Sequence, residues 1–103
     1  MQKQIEKVEC KRDPSGSYRV AGPLSFDTVR NALKESTEVF AAEGDLNIDL
    51  SQVTNADSAG LALLIEWYRW AAERDRQLKF IGAPAQLRAL AKISDLETVL
   101  PFA

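Results

Sequence analysis

Two hydrophobic periods alternate along the chain. Ile5 to Cys10 places apolar and polar side chains in turn, and Tyr18 and Val20 within Ser17 to Ala21 keep the same period of two, which marks strands with one buried face. Between them stands Asp13-Pro14-Ser15-Gly16. Proline presets a turn dihedral and glycine accepts a positive one. Ile5 to Ala21 is therefore predicted to be a β-hairpin, with Gly22-Pro23 breaking its second strand. Asp27 is a plausible N-cap for a helix from Thr28 to about Ala42, with Val29, Leu33, Val39 and Phe40 apolar and Gly44 stopping it. Leu46, Ile48 and Leu50 line one side of a short strand, and Ser51 to Asp57 reads as a loop.

The helix from Ser58 to about Arg74 is the longest apolar-rich segment. At about 100° per residue, Leu61, Leu64, Ile65, Tyr68, Ala71 and Ala72 share one broad stripe that should face a sheet. Leu63, Trp67 and Trp70 fall on another side. They are either covered by a neighbouring helix or form a partner surface, since aromatic residues are enriched at interfaces. Glu66, Arg69 and Glu73 complete the solvated face. Leu78 to Ile81 is a strand closed by Gly82, and Pro84 suits the first turn of a helix through about Ile93, where Leu87, Leu90 and Ala91 repeat at helical spacing. Leu96 to Leu100 fits a short helix or a strand. The order β-β-α-β-α-β-α plus a tail, with helices long enough to cross a sheet face, predicts an α/β fold without repeats or linkers.

At 103 residues the chain has the length of one domain, spanning 1–103. A chain of this size buries roughly 60–70% of its unfolded surface, and 46% apolar residues supply a core without staples. Thirteen basic against fifteen acidic residues leave a net charge of −2, so phosphate backbones exert no general pull and nucleic acid is not an expected partner. Histidine is absent, which excludes histidine triads and histidine-dependent zinc sites. The single cysteine, Cys10, has no internal disulfide partner and reads as a buried strand residue, in keeping with a reducing compartment. No apolar run of signal-peptide or membrane-spanning length occurs, and the expected location is cytoplasmic.

Candidate chemistry is concentrated at Asp57-Ser58-Ala59-Gly60. A helix N-terminus presents unpaired N–H groups and a partial positive charge, which stabilise an anion such as a phosphoserine. On spacing alone the favoured reading is that Ser58 merely caps the helix, a task Asp57 can share. Asp49 lies within a strand pattern, so it and Asp57 do not form a Mg²⁺ site, and no glycine spacing of a nucleotide-binding loop occurs. No catalytic residue, metal or cofactor is expected.

IDLSQVTNADSAGLALL, from Ile48 onward, resembles the signature of the STAS domain family, the fold of bacterial anti-sigma-factor antagonists: strand, loop, Asp-Ser/Thr-x-Gly, helix. LALLIEWYRWA, LKFIGAP and QLRALAKISDLETVLP extend the resemblance over the C-terminal half. They are most similar to the MlaB-like branch, small cytoplasmic subunits of a phospholipid ABC transporter that maintains outer-membrane lipid asymmetry. The resemblance implies a small mixed β-sheet with helices packed mainly on one face. It makes Ser58 the hydroxyl that regulatory members phosphorylate, or, in MlaB-like members, a residue in the contact with the transporter's ATPase. The implied contact residues are Asp57, Ser58, Ala59, Gly60 and Leu61, with the loop Pro23 to Phe26 (notably Leu24 and Ser25) and Pro84 as weaker candidates. The implied partner is the cytosolic ABC ATPase, peripheral to the inner membrane, or alternatively an anti-sigma serine kinase. One departure bears on the choice: regulatory members often carry a Gly-Glu-Leu-Asp type of loop where this chain has Gly22-Pro23-Leu24-Ser25.

Overall fold

The structure, a computed structural model, describes residues 7–40 and 43–103. Its elements run β1 (Glu9–Arg12), β2 (Tyr18–Leu24), α1 (Val29–Val39), β3 (Leu46–Ala56), α2 (Ser58–Glu73), β4 (Leu78–Ile81) and α3 (Ala85–Ile93). The strands form one mixed sheet in the order β1-β2-β3-β4, antiparallel between β1 and β2 and parallel thereafter. Val20, Leu46, Ile48, Leu50 and Phe80 point from the sheet into a core shared with Leu64, Trp67 and Leu87 of the helices. The opposite sheet face carries exposed Lys11, Arg19 and Lys79. The helices therefore pack on one side, as the alternating strand pattern requires.

The predicted hairpin forms, although Ile5 and Glu6 at its start lie outside the described residues. Its turn closes as the Gly16 N–H donates to the Asp13 carbonyl at 2.8 Å and the Asp13 N–H to the Ser17 carbonyl at 2.7 Å, with Gly16 at φ +94°. Cys10 is buried, and its thiol donates to the Ala32 carbonyl at 3.6 Å. Burial, aided by the nearby Glu35 carboxylate, pushes that thiol up to about 12, so it stays protonated and inert.

Several boundaries differ from the sequence reading. Gly22-Pro23 does not end β2, and Ser51 to Ala56 is not a loop, because β2 and β3 stay paired as far as Leu24 and Ala56. The register slips between Arg19 and Ala21 and again between Gly22 and Leu24. Pro23 sits at the second slip, where the ladder asks it for no N–H. The N-cap of α1 is Thr28 rather than Asp27, and the helix starts at Val29; the Thr28 hydroxyl does not cap the helix but is held by the preceding turn. The α1 helix ends at Val39, with Phe40 as its C-cap; Ala42, where the sequence placed its end, lies outside the described residues. Pro84 is the N-cap of α3 rather than a first-turn residue.

The tail is neither the helix nor the strand that Leu96 to Leu100 suggested. Those residues make one turn, with the Leu100 N–H on the Leu96 carbonyl at 2.9 Å. Beyond it, Phe102 bridges to Phe80 at the edge of β4, fixed by Phe80 N–H to Pro101 and Ala103 N–H to Phe80, both at 2.9 Å.

On α2 the buried line is Gly60, Leu61, Leu63, Leu64, Trp67 and Ala71. Tyr68 and Ala72, expected to face the sheet, are exposed. Leu63 and Trp67 are both buried, and α1 meets Trp67 directly. Trp67 Nε1 donates to Ser36 Oγ at 2.7 Å, and Ser36 in turn donates to the Leu33 carbonyl at 2.8 Å. Trp70 is half-buried against Phe40, with ring centroids 5.4 Å apart.

Candidate docking site

The parallel pairing of β2 and β3 brings two chain segments together at one end of the sheet: the turn after Leu24 and the first turn of α2. Asp57 joins them. Its backbone is extended, and its N–H donates to the Leu24 carbonyl at 3.2 Å. One carboxylate oxygen, Oδ1, accepts from the Ala59 N–H at 2.8 Å and the Gly60 N–H at 3.3 Å. The other, Oδ2, accepts from the Phe26 N–H at 3.2 Å. Asp57 thus satisfies two of the orphan donors of α2 and anchors the neighbouring turn with the same side chain.

The cap is therefore Asp57, and Ser58 is free of that task. Ser58 is exposed, and among the described residues its hydroxyl has no hydrogen-bond partner. It stands in the positive field of the helix N-terminus, beside the Asp57 carboxylate that partly offsets it.

The turn beside it is rigid. The Thr28 hydroxyl donates to the Pro23 carbonyl at 2.6 Å and accepts from the Ser25 N–H at 3.0 Å. This arrangement closes the turn with a neutral hydroxyl. It leaves Phe26 82% exposed, directly over the capped helix end. Close packing underneath depends on Gly60: a Cβ there would lie 2.5 Å from the Leu24 carbonyl oxygen, a distance no side chain tolerates.

The residues singled out by the sequence separate into two groups. Asp57 and Ser58 are exposed and Ser25 and Ala59 half-buried at one edge. Leu24, Gly60 and Leu61 are buried; the two leucine side chains belong to the core, and all three residues position the edge. Pro84 is half-buried, and its helix reaches the same end of the sheet through Gln86, whose Oε1 accepts from the Ala56 N–H at 3.2 Å. Gln86 carried no sequence signal. Phe26 did, as an apolar residue set between Ser25 and Asp27 just ahead of a helix. Asp49 is occupied locally, accepting from the Ser51 N–H at 2.9 Å. Among the described residues no group of three or more acidic or cysteine side chains could hold a metal ion, and no helix is long and apolar enough to cross a membrane.

The site is thus an exposed edge of a one-sided α/β layer, with an unbonded hydroxyl at a helix start. Residues 12–101 match the family model described as MlaB, STAS domain, and the chain belongs to the STAS domain family. Solved structures agree in fold. RsbS of Moorella thermoacetica, in a serine-to-glutamate form, aligns at TM-score 0.66 and 18% identity over 93% of this chain and 85% of its own. The anti-sigma-factor antagonist SpoIIAA in its unphosphorylated form gives 0.59 and 11%, over 84% and 82%. SLC26A9 gives 0.69 and 14% over 81% of this chain, which spans only 16% of that much longer protein. No curated protein matches by sequence. Members of the family are generally regulatory, non-catalytic domains that bind other proteins.

Proposed function

We propose that the chain is a non-catalytic subunit that docks onto the cytosolic ATPase of a phospholipid ABC transporter and stabilises its competent state. The observation that carries this reading is the MlaB-type family match, joined to a Ser58 hydroxyl that the fold leaves exposed because Asp57 does the capping. Ser58, Asp57, Ala59 and Ser25 form the contact edge, with Phe26 as its apolar anchor. A partner that binds only the folded, competent ATPase raises that population by mass action. The chain then sits at the cytoplasmic side of the inner membrane through this partner, with no insertion of its own.

The same exposed Ser58 supports a second reading, an anti-sigma-factor antagonist switched by phosphorylation, which would add up to about two negative charges at this edge. The neutral turn at Leu24-Ser25 favours the first. Affinity purification of the tagged chain from its native cells, with mass spectrometry of partners and of the Ser58 peptide, separates the two. An ABC ATPase with its permease and an unmodified peptide is the expected result. A serine kinase with phosphate on Ser58 would replace the first reading by the second.

A further inference from the structure

We infer that the trough between α1 and α2 receives an amphipathic helix of the ATPase partner, as a third helix laid beside these two; the inference rests on the docking reading above. Two neighbouring hollows, of about 690 and 390 Å³, share Arg30, Leu33 and Glu66 in their linings. The trough begins at Phe26 and Ala59, at the Ser58 edge, and ends at Trp70. From Ala59 to Trp70 is eleven helical residues, about 16 Å or three turns.

Its floor is apolar and its rims are charged. Leu33, Leu63 and Trp70 are half-buried or buried beneath it, and Ala62 is open to solvent. On the α1 side the exposed Asp27 carboxylate stands at the Ser58 end and exposed Arg30 and Lys34, one turn apart, follow it along the rim; Glu66 and Glu73, two turns apart, stand exposed on the α2 rim. Among the described residues Arg30, Lys34 and Glu73 have no ion pair, and Glu66 pairs only with Arg69, at 3.4 Å. The two rims do not bridge each other, so each is available to a partner.

This chemistry selects the occupant. A groove walled by helices offers no free backbone donors for an added strand, whereas an apolar stripe at i, i+4 and i+7 fits its floor. The rims set the orientation: acidic side chains of the incoming helix face α1 and basic ones face α2. A second copy of this chain does not supply such a helix, because α1, α2 and α3 each turn their apolar stripe into the core.

The test places a photo-crosslinking amino acid, one position at a time, at Ser58, Ala62 and Lys79 of the full chain in its native cells, followed by mass spectrometry of the crosslinked peptides. All three positions are exposed, and Lys79 lies on the open sheet face. The inference expects position 62 to capture an ATPase segment with an apolar stripe flanked by acidic residues on one side and basic on the other, and position 79 to capture none of it. It also expects Arg30→Glu with Lys34→Glu to weaken ATPase binding about tenfold or more. Capture of the ATPase at 58 but not at 62 overturns the trough and leaves the docking reading standing. Absence of the ATPase at every position overturns both. Capture of a second copy at 62, or unchanged affinity in the charge-reversed variant, also overturns the inference.

Discussion

The first turn of α2 and its third and fourth turns both carry polar groups beside apolar ones, yet they use them oppositely. At the far end, the Trp67 indole is fully buried and its N–H is satisfied by Ser36 across the helix pair. The polar contact there holds two helices together in a dry core, where an unmade bond is costly. At the near end, Asp57 satisfies the backbone from the surface, leaving Ser58 without an internal role and Phe26 without cover. Trp67 belongs to the interior and Trp70 is half-buried, whereas Phe26 of the adjoining turn is open to solvent.

The contrast can be broken at the buried end first. Trp67→Ala removes the largest fully buried side chain and its hydrogen bond to Ser36, and is expected to cost about 3–5 kcal/mol in urea unfolding. Ser36→Ala keeps the indole but leaves its N–H buried and unpaired, for an expected loss of about 1–3 kcal/mol. Gly60→Ala drives a Cβ against the Leu24 carbonyl and should lower the thermal midpoint by an amount equivalent to about 1–3 kcal/mol. At the other end, Asp57→Ala removes the cap, with an expected cost of about 0.5–2 kcal/mol, and amide exchange should quicken at Phe26, Ala59 and Gly60 above all. Ser58→Ala is expected to change stability by less than about 0.5 kcal/mol. A larger loss would give Ser58 the structural task assigned here to Asp57.

The sequence made the core easier to read than the edges. Leu46, Ile48 and Leu50 alternate cleanly, and all three are buried. The second half of β3 was hidden because Ser51, Gln52, Thr54 and Asn55 are exposed, so their polarity looked like a loop; what makes them strand is backbone pairing to β2, which leaves no mark on side-chain type. Tyr68 and Ala72 were misplaced because the buried arc of α2 is shared between the sheet and α1 and is therefore centred nearer Leu64 and Trp67 than a sheet contact alone would put it. At the site, Asp57-Ser58-Ala59-Gly60 stood out, but spacing alone favours Ser58 as the cap. Asp57 caps through local bonds to Ala59 and Gly60, and its second oxygen is held by the Phe26 N–H, 31 positions away, a contact that only the fold creates. The same holds for Gln86, which joins the site through a strand end 30 positions distant.

In the proposed complex the free Ser58 edge is the surface bound by the ATPase. The most direct test is the affinity of the purified chain for the co-purified ATPase, measured by biolayer interferometry for the natural protein, Ser58→Ala and Ser58→Asp, with all three first shown to unfold at similar temperatures. The account predicts weaker binding for alanine and weaker still for aspartate. Equal affinity in all three would remove Ser58 from the interface and contradict it.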